Sequence, residues 1–241
     1  AHLDWAAIGA DWLSFDSTVV TRYGNQEGAK KGYNPAKKGR ASHHPLVAFL
    51  NGSRIVLNIW NRSGDTSSGN NIISFFECVY QRIWGLIQIK GVLADAGFYS
   101  EAFIESIEEK KLDYIITAKL YPTLQRKIYA HDNWSQIEPG LWISEFQFQH
   151  HNWKNSHRYV VVRQSIKKRK KALGKQLRLF EIETESYRYG VWITNSTDDA
   201  LSVWRTIRQR SNDENTIKEF KDDLALCGFS MTQFYSTEAA F

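Results

Sequence analysis

WLSFDSTVV, residues 12–20, is a run of β-branched and aromatic side chains with one carboxylate, Asp16, in its midst. Such a run reads as a strand. An acid inside an apolar strand costs free energy unless a hydrogen-bond donor or a cation compensates it. Downstream, residues 22–44 (RYGNQEGAKKGYNPAKKGRASHH) are too polar and too broken by glycine to be a core element, and they read as a long functional loop. Strands over 45–50 and 54–61 follow, joined by Asn51-Gly52, the dipeptide that most favours a type I′ hairpin turn. Ile72, Ile73, Phe76, Val79, Tyr80 and Ile83 recur at spacings of three and four, which predicts an amphipathic helix within 66–84, capped by Asp65 or Thr66. A strand over 87–94 runs into a second acid, Asp95, and a helix over 100–111 and a short strand over 114–118 complete the pattern. This order predicts a mixed α/β sheet flanked by helices.

From residue 122 to 195 alternation replaces helical periodicity, with strands expected over 141–149, 157–162, 177–183 and 187–194. The segment holds Trp134, Trp142, Trp153 and Trp192 and a basic hairpin tip, Lys167, Lys168, Arg169, Lys170 and Lys171. Helical patterning returns from 197, with a break near Ser211. The expected organisation is a core over 1–121, a β-rich insertion over 122–195 packed beside it, and a helical completion of the core over 196–241.

The whole chain has 241 residues, 42% hydrophobic and 24% charged, which excludes a fibrous or disordered class. Its net charge of +5 tilts toward a polyanionic partner. No run reaches the length of a membrane span and the first residues lack the pattern of a signal peptide, so no membrane partner and a cytoplasmic location are expected. Cys78 and Cys227 lack metal-ligand spacing and are expected to be buried thiols.

Asp16 and Asp95 each admit a plain reading, in which Asp95 caps the following turn and Asp16 accepts hydrogen bonds from a loop, and a chemical one, in which both hold a metal ion. Glu214 is the third acid. In Ser211-Asn212-Asp213-Glu214 it fits a capping box. At about 100° per residue it also falls on the border of the apolar face of Ile217, Phe220 and Leu224, in one stripe with Lys218 and Lys221.

Arg210, Glu214 and Lys221 follow the spacing R-x3-E-x6-K, LADAGFYS surrounds Asp95, and GYNPAKKGRASHHPLVAF spans residues 32–49. In these features the chain resembles the DDE transposases of bacterial insertion sequences, in the branch with a tyrosine-arginine-glutamate-lysine motif and a β-strand insertion before the catalytic glutamate. It departs from the motif at Ile207, where the tyrosine belongs. The resemblance implies an RNase H-like core. Asp16, Asp95 and Glu214 would be catalytic residues converging on two Mg²⁺ ions, with Mn²⁺ as a substitute, for DNA cleavage and strand transfer. It also implies double-stranded DNA, as transposon ends and target, for a partner, a homodimer on DNA, and residence at the bacterial nucleoid. DNA contacts are expected from Arg210, Lys218 and Lys221, from Lys37, Lys38, Arg40 and His44 in the loop, from Lys167 to Lys171 at the tip, and from Trp142 and Trp153 by stacking on an unpaired base. The alternatives to a transposase are another RNase H-like nuclease or a catalytically inactive DNA-binding remnant. Because the chain starts close to the first acidic strand, flanking segments for end recognition and dimerisation are expected outside it.

Overall fold

The computed structural model describes residues 4–35, 37–166, 187–210 and 231–240. A short helix, α1 (Trp5–Ile8), leads into β1 (Asp11–Ser17). Next come three short strands, β2 (Val20–Thr21), β3 (Lys30–Lys31) and β4 (Ala41–His43), which form a small sheet of their own in the order β2-β4-β3. The chain continues through β5 (Leu46–Leu50), β6 (Val56–Trp60), α2 (Ile72–Ile83), β7 (Ile89–Ala94), α3 (Glu101–Glu108) and β8 (Asp113–Thr117). It then adds α4 (Pro122–Tyr129), β9 (Ser135–Glu138), β10 (Leu141–Phe148), β11 (His157–Ser165) and β12 (Tyr187–Thr194), before α5 (Ala200–Gln209) and α6 (Phe234–Ala240).

Nine of these strands make one sheet, ordered β6-β5-β1-β7-β8-β12-β11-β10-β9. β1, β7 and β8 run parallel, and the other pairs are antiparallel. A hairpin, a parallel trio and helices on both faces give the mixed α/β, RNase H-like arrangement expected. Among the described residues of 122–195, a helix comes first and the strands then continue the core sheet from the edge of β8. Pairing satisfies the backbone groups that a bare β8 edge would leave exposed.

Alternation assigns the two faces. Leu13, Phe15, Val92 and Ala94 point toward α2 and α3, where Phe15 meets Phe75, Phe76 and Phe103 edge-on at 5.9, 5.9 and 6.1 Å. Leu93, Ile115, Val160 and Val162 point the other way, onto Val203, Trp204 and Ile207 of α5. Ile207, at the motif's tyrosine position, is therefore a core residue, 7% exposed. Installing the tyrosine by Ile207→Tyr is expected to overpack this face and to cost about 1–3 kcal/mol in urea unfolding; a neutral result would show that the face has room for it.

Two local expectations fail. Asn51-Gly52 does not form a type I′ turn, because the left-handed residue of this connection is Arg54 (φ 59°). The Asp11 carboxylate instead takes the amides of Gly52 and Ser53 at 2.9–3.2 Å and shapes a longer loop. Neither Asp65 nor Thr66 caps α2, which starts after Asn71 in a left-handed conformation (φ 62°) and leaves Ile73 exposed. Cys78 is a free thiol but only half-buried. The strand expected over 177–183, the basic tip 167–171, Cys227 and the helix expected to carry Glu214, Lys218 and Lys221 lie outside the described residues. No described helix is long and apolar enough to cross a membrane.

Candidate active site

β1 and β7 are parallel neighbours, and Phe15 pairs with Ala94. The next residues, Asp16 and Asp95, therefore stand side by side at the C-terminal ends of adjacent strands. Because Phe15 and Ala94 point toward α2 and α3, the pleat turns the two acids toward the face that carries α5.

Each carboxylate is oriented by the chain that follows it. The Ser17 amide donates to Asp16 Oδ1 at 2.7 Å. Asp95 caps a 3-10 turn over Ala96–Phe98, its Oδ1 accepting from the Gly97 amide at 2.7 Å. The capping role considered for Asp95 is thus real and occupies one oxygen. Gly97 is required here, since a Cβ would lie 2.7 Å from Ser68 Cβ and 2.9 Å from Asp95 Oδ1.

Arg210, the residue after α5, reaches across to β1. Its Nη2 lies 3.5 Å from Asp16 Oδ2 and donates to the Phe15 carbonyl at 3.1 Å, and both charged side chains are 15% exposed. At that depth the pair is partly shielded from solvent, so its attraction exceeds that of a surface pair.

Behind Asp16 runs a chain of hydrogen bonds. His44 Nδ1 donates to the Thr66 carbonyl at 2.7 Å, which leaves Nε2 to accept from the Ser17 hydroxyl at 3.2 Å, and Ser17 Oγ in turn meets Ser68 Oγ at 2.9 Å. His44 is 5% exposed with both ring nitrogens engaged, so it braces Ser17. Arg62, also buried, gathers the carbonyls of His44, Ser67, Ser68 and Asn70, and burial lowers its pKa to about 10, which keeps it charged at neutral pH. Arg62, Ser17 and Ser68 carry no signal in the sequence that marks them for this site. Only the position of Gly97, two residues after an acid at a strand end, signals its role.

Lys37, Lys38 and Arg40 are exposed on the loop after β1. Trp142 and Trp153 are half-buried in intramolecular clusters. Arg163 lies over Trp142 at 5.2 Å, and Tyr99 stacks obliquely on Trp153 at 4.9 Å. Among the described residues no group of three or more His, Cys, Asp and Glu side chains gathers as a cation site. The donor chemistry of the aspartate pair nevertheless suits a hard divalent ion, which prefers carboxylate oxygen.

His43 and His157 are buried, and that burial holds both pKa values below the usual imidazole value. Arg22 donates to His43 Nδ1 at 3.2 Å, and His43 Nε2 donates to the Glu27 carbonyl at 2.9 Å, which fixes a neutral ring. A folded pKa below the unfolded one means that the unfolded chain binds more protons as pH falls below about 6.5. Their contribution to stability is complete above that pH and is lost below it. Melting temperature is expected to drop between about pH 7.5 and about pH 5.5; an unchanged midpoint would contradict this account.

A mixed sheet of RNase H-like arrangement with two aspartates at adjacent strand ends defines the class of fold and site. Residues 12–239 match the family described as transposase DDE domain group 1, and the chain belongs to that family. Among solved structures it is similar to a piggyBac transposase in a synaptic complex with hairpin DNA, with a TM-score of 0.59 and 11% identity. The match covers 96% of this chain but 45% of that one, and at this identity the likeness is one of fold. No curated protein sequence matches.

Proposed function

We propose that this chain carries the catalytic domain of an insertion-sequence transposase, which cuts a DNA phosphodiester and joins the freed 3′-hydroxyl to a target strand. The observation that carries the reading is the placement of Asp16 and Asp95 side by side with Arg210 over Asp16, in a member of a DDE transposase family. Asp16, Asp95 and Glu214 would hold two Mg²⁺ ions, which when bound activate the attacking oxygen and stabilise the leaving one.

Arg210 balances the Asp16 charge and stands where a phosphate would approach. Lys37, Lys38 and Arg40, with Lys218, Lys221 and the tip 167–171, would track the backbone by charge, which makes binding salt-dependent. Two measurements test the reading. Calorimetric titration with Mn²⁺ is expected to show binding that Asp95→Asn weakens at least about tenfold. Incubation of the chain with DNA bearing its element's ends is expected to give joined as well as cut products. Cutting without joining would favour a nuclease, and no Mn²⁺ binding in the presence of DNA would end the proposal.

A further inference from the structure

The loop between β1 and β5 holds an arrangement that phosphate binding does not explain. Residues 28–64 contain no aspartate or glutamate, so the cations of this stretch have no acid within it to neutralise them. Lys30 turns to an acid beyond, Asp65, at 3.4 Å. β2 and β3 both pair with β4, through Thr21 with Ser42 and Lys31 with Ala41. That register brings the ends of β2 and β3 and the start of β4 to one end of the small sheet. Tyr23, Tyr33 and Arg40 lie within two residues of those ends, and the tyrosines are 71% and 75% exposed.

The backbone that displays them is fixed. Asn34, 4% exposed, donates to Thr21 Oγ1 at 3.0 Å and accepts from the Lys37 amide at 2.9 Å. Next to Tyr33, Gly32 sits so close to a neighbouring loop that a Cβ would fall 1.8 Å from the Gly64 carbonyl oxygen. The Arg40 guanidinium lies over the Tyr23 ring at 5.7 Å, which orients that ring.

Cations alone suffice for the backbone of a duplex, whose bases are stacked inside. Exposed rings interleaved with cations suit a strand whose bases are free to stack. We propose that this loop binds an unpaired DNA strand, with Tyr23 and Tyr33 as stacking platforms and Lys31, Lys37, Lys38 and Arg40 holding its phosphates. The inference rests on the DNA-processing reading above and adds which form of DNA the loop takes. Fixed platforms lose little conformational freedom on binding, so more of the stacking energy is realised as affinity.

Fluorescence anisotropy with a labelled oligo-dT of about fifteen nucleotides, and with a duplex hairpin of similar length, tests the proposal. Tyr23→Ala and Tyr33→Ala are each expected to weaken oligo-dT binding roughly 5- to 150-fold, with duplex binding within about twofold of wild type. Phenylalanine at either position is expected to restore the affinity. Lys37→Gln and Lys38→Gln are expected to weaken both probes and to flatten the oligo-dT salt dependence by about 0.7 per lost contact. Wild-type oligo-dT affinity in both alanine variants, with duplex binding intact, would overturn this inference alone. A wild-type chain that binds neither probe would instead overturn the DNA-processing reading on which it rests.

Discussion

Asp16→Ala and Asp95→Ala are each expected to lower metal-dependent DNA cleavage by at least about a thousandfold, equivalent to about 4 kcal/mol of transition-state stabilisation. The two acids stand at equivalent positions on neighbouring parallel strands, so neither can be replaced by a shift of the other. The variants should differ in their side effects. Without Asp16, Arg210 loses its carboxylate partner but keeps the Phe15 carbonyl, so its side chain stays near the site. Without Asp95, the Gly97 amide at the start of the 3-10 turn loses its acceptor, and the turn should loosen. DNA binding should survive both changes, because the exposed cations lie elsewhere on the loop after β1. Cleavage at the wild-type rate in either variant would remove that residue from the mechanism.

Phe15→Ala is expected to cost about 3–5 kcal/mol, a large share of the roughly 5–15 kcal/mol that holds an ordinary domain folded. Phe15 is fully buried, and three phenylalanines from α2 and α3 meet its ring edge-on. The cavity would open one residue before Asp16, so the variant should lose stability and site geometry together. Urea unfolding measures the first, and Mn²⁺ affinity at low urea measures the second. An unchanged urea midpoint would mean that the core collapses around the gap.

The strands that carry the acids could be read from sequence because their signal is local. The aromatic and β-branched residues of the run 12–20 and the apolar run that ends β7 mark these strands without knowledge of their partners. The failures share a different origin. Asp65 and Thr66 have the composition of a helix start, yet the carbonyls of Ser67, Ser68 and Asn70 are taken by the buried Arg62 guanidinium, which holds them in turns ahead of α2. Asn51-Gly52 has the composition of a tight hairpin, yet Asp11, some forty residues earlier, captures the amides of that loop. In both cases a side chain outside the loop overrides the local backbone preference, and in the second it lies beyond any window of neighbouring residues. The same limit applies to the site. Asp16 and Arg210 were each singled out, but their contact spans 194 positions and follows from where α5 ends on the sheet. The exposed Tyr23 and Tyr33 are not legible in the sequence, since an aromatic residue in a loop carries no periodic signal.

The continuation of the core sheet from β8 through β12 bears on how such a protein could change over time. A module attached through a linker can be lost or exchanged with little consequence for its host. Here β8, adjacent to the strand that ends at Asp95, is hydrogen-bonded on its far side by Trp192, Ile193 and Thr194 of β12. Excising residues 122–195 would bare a buried strand two removed from β1, whereas the present rim, β9, is only four residues long and mostly exposed and polar. A long apolar rim invites pairing between molecules. A lineage that acquired these strands is therefore committed to them: point changes on their outer surface are open to it, but deletion of the segment is not.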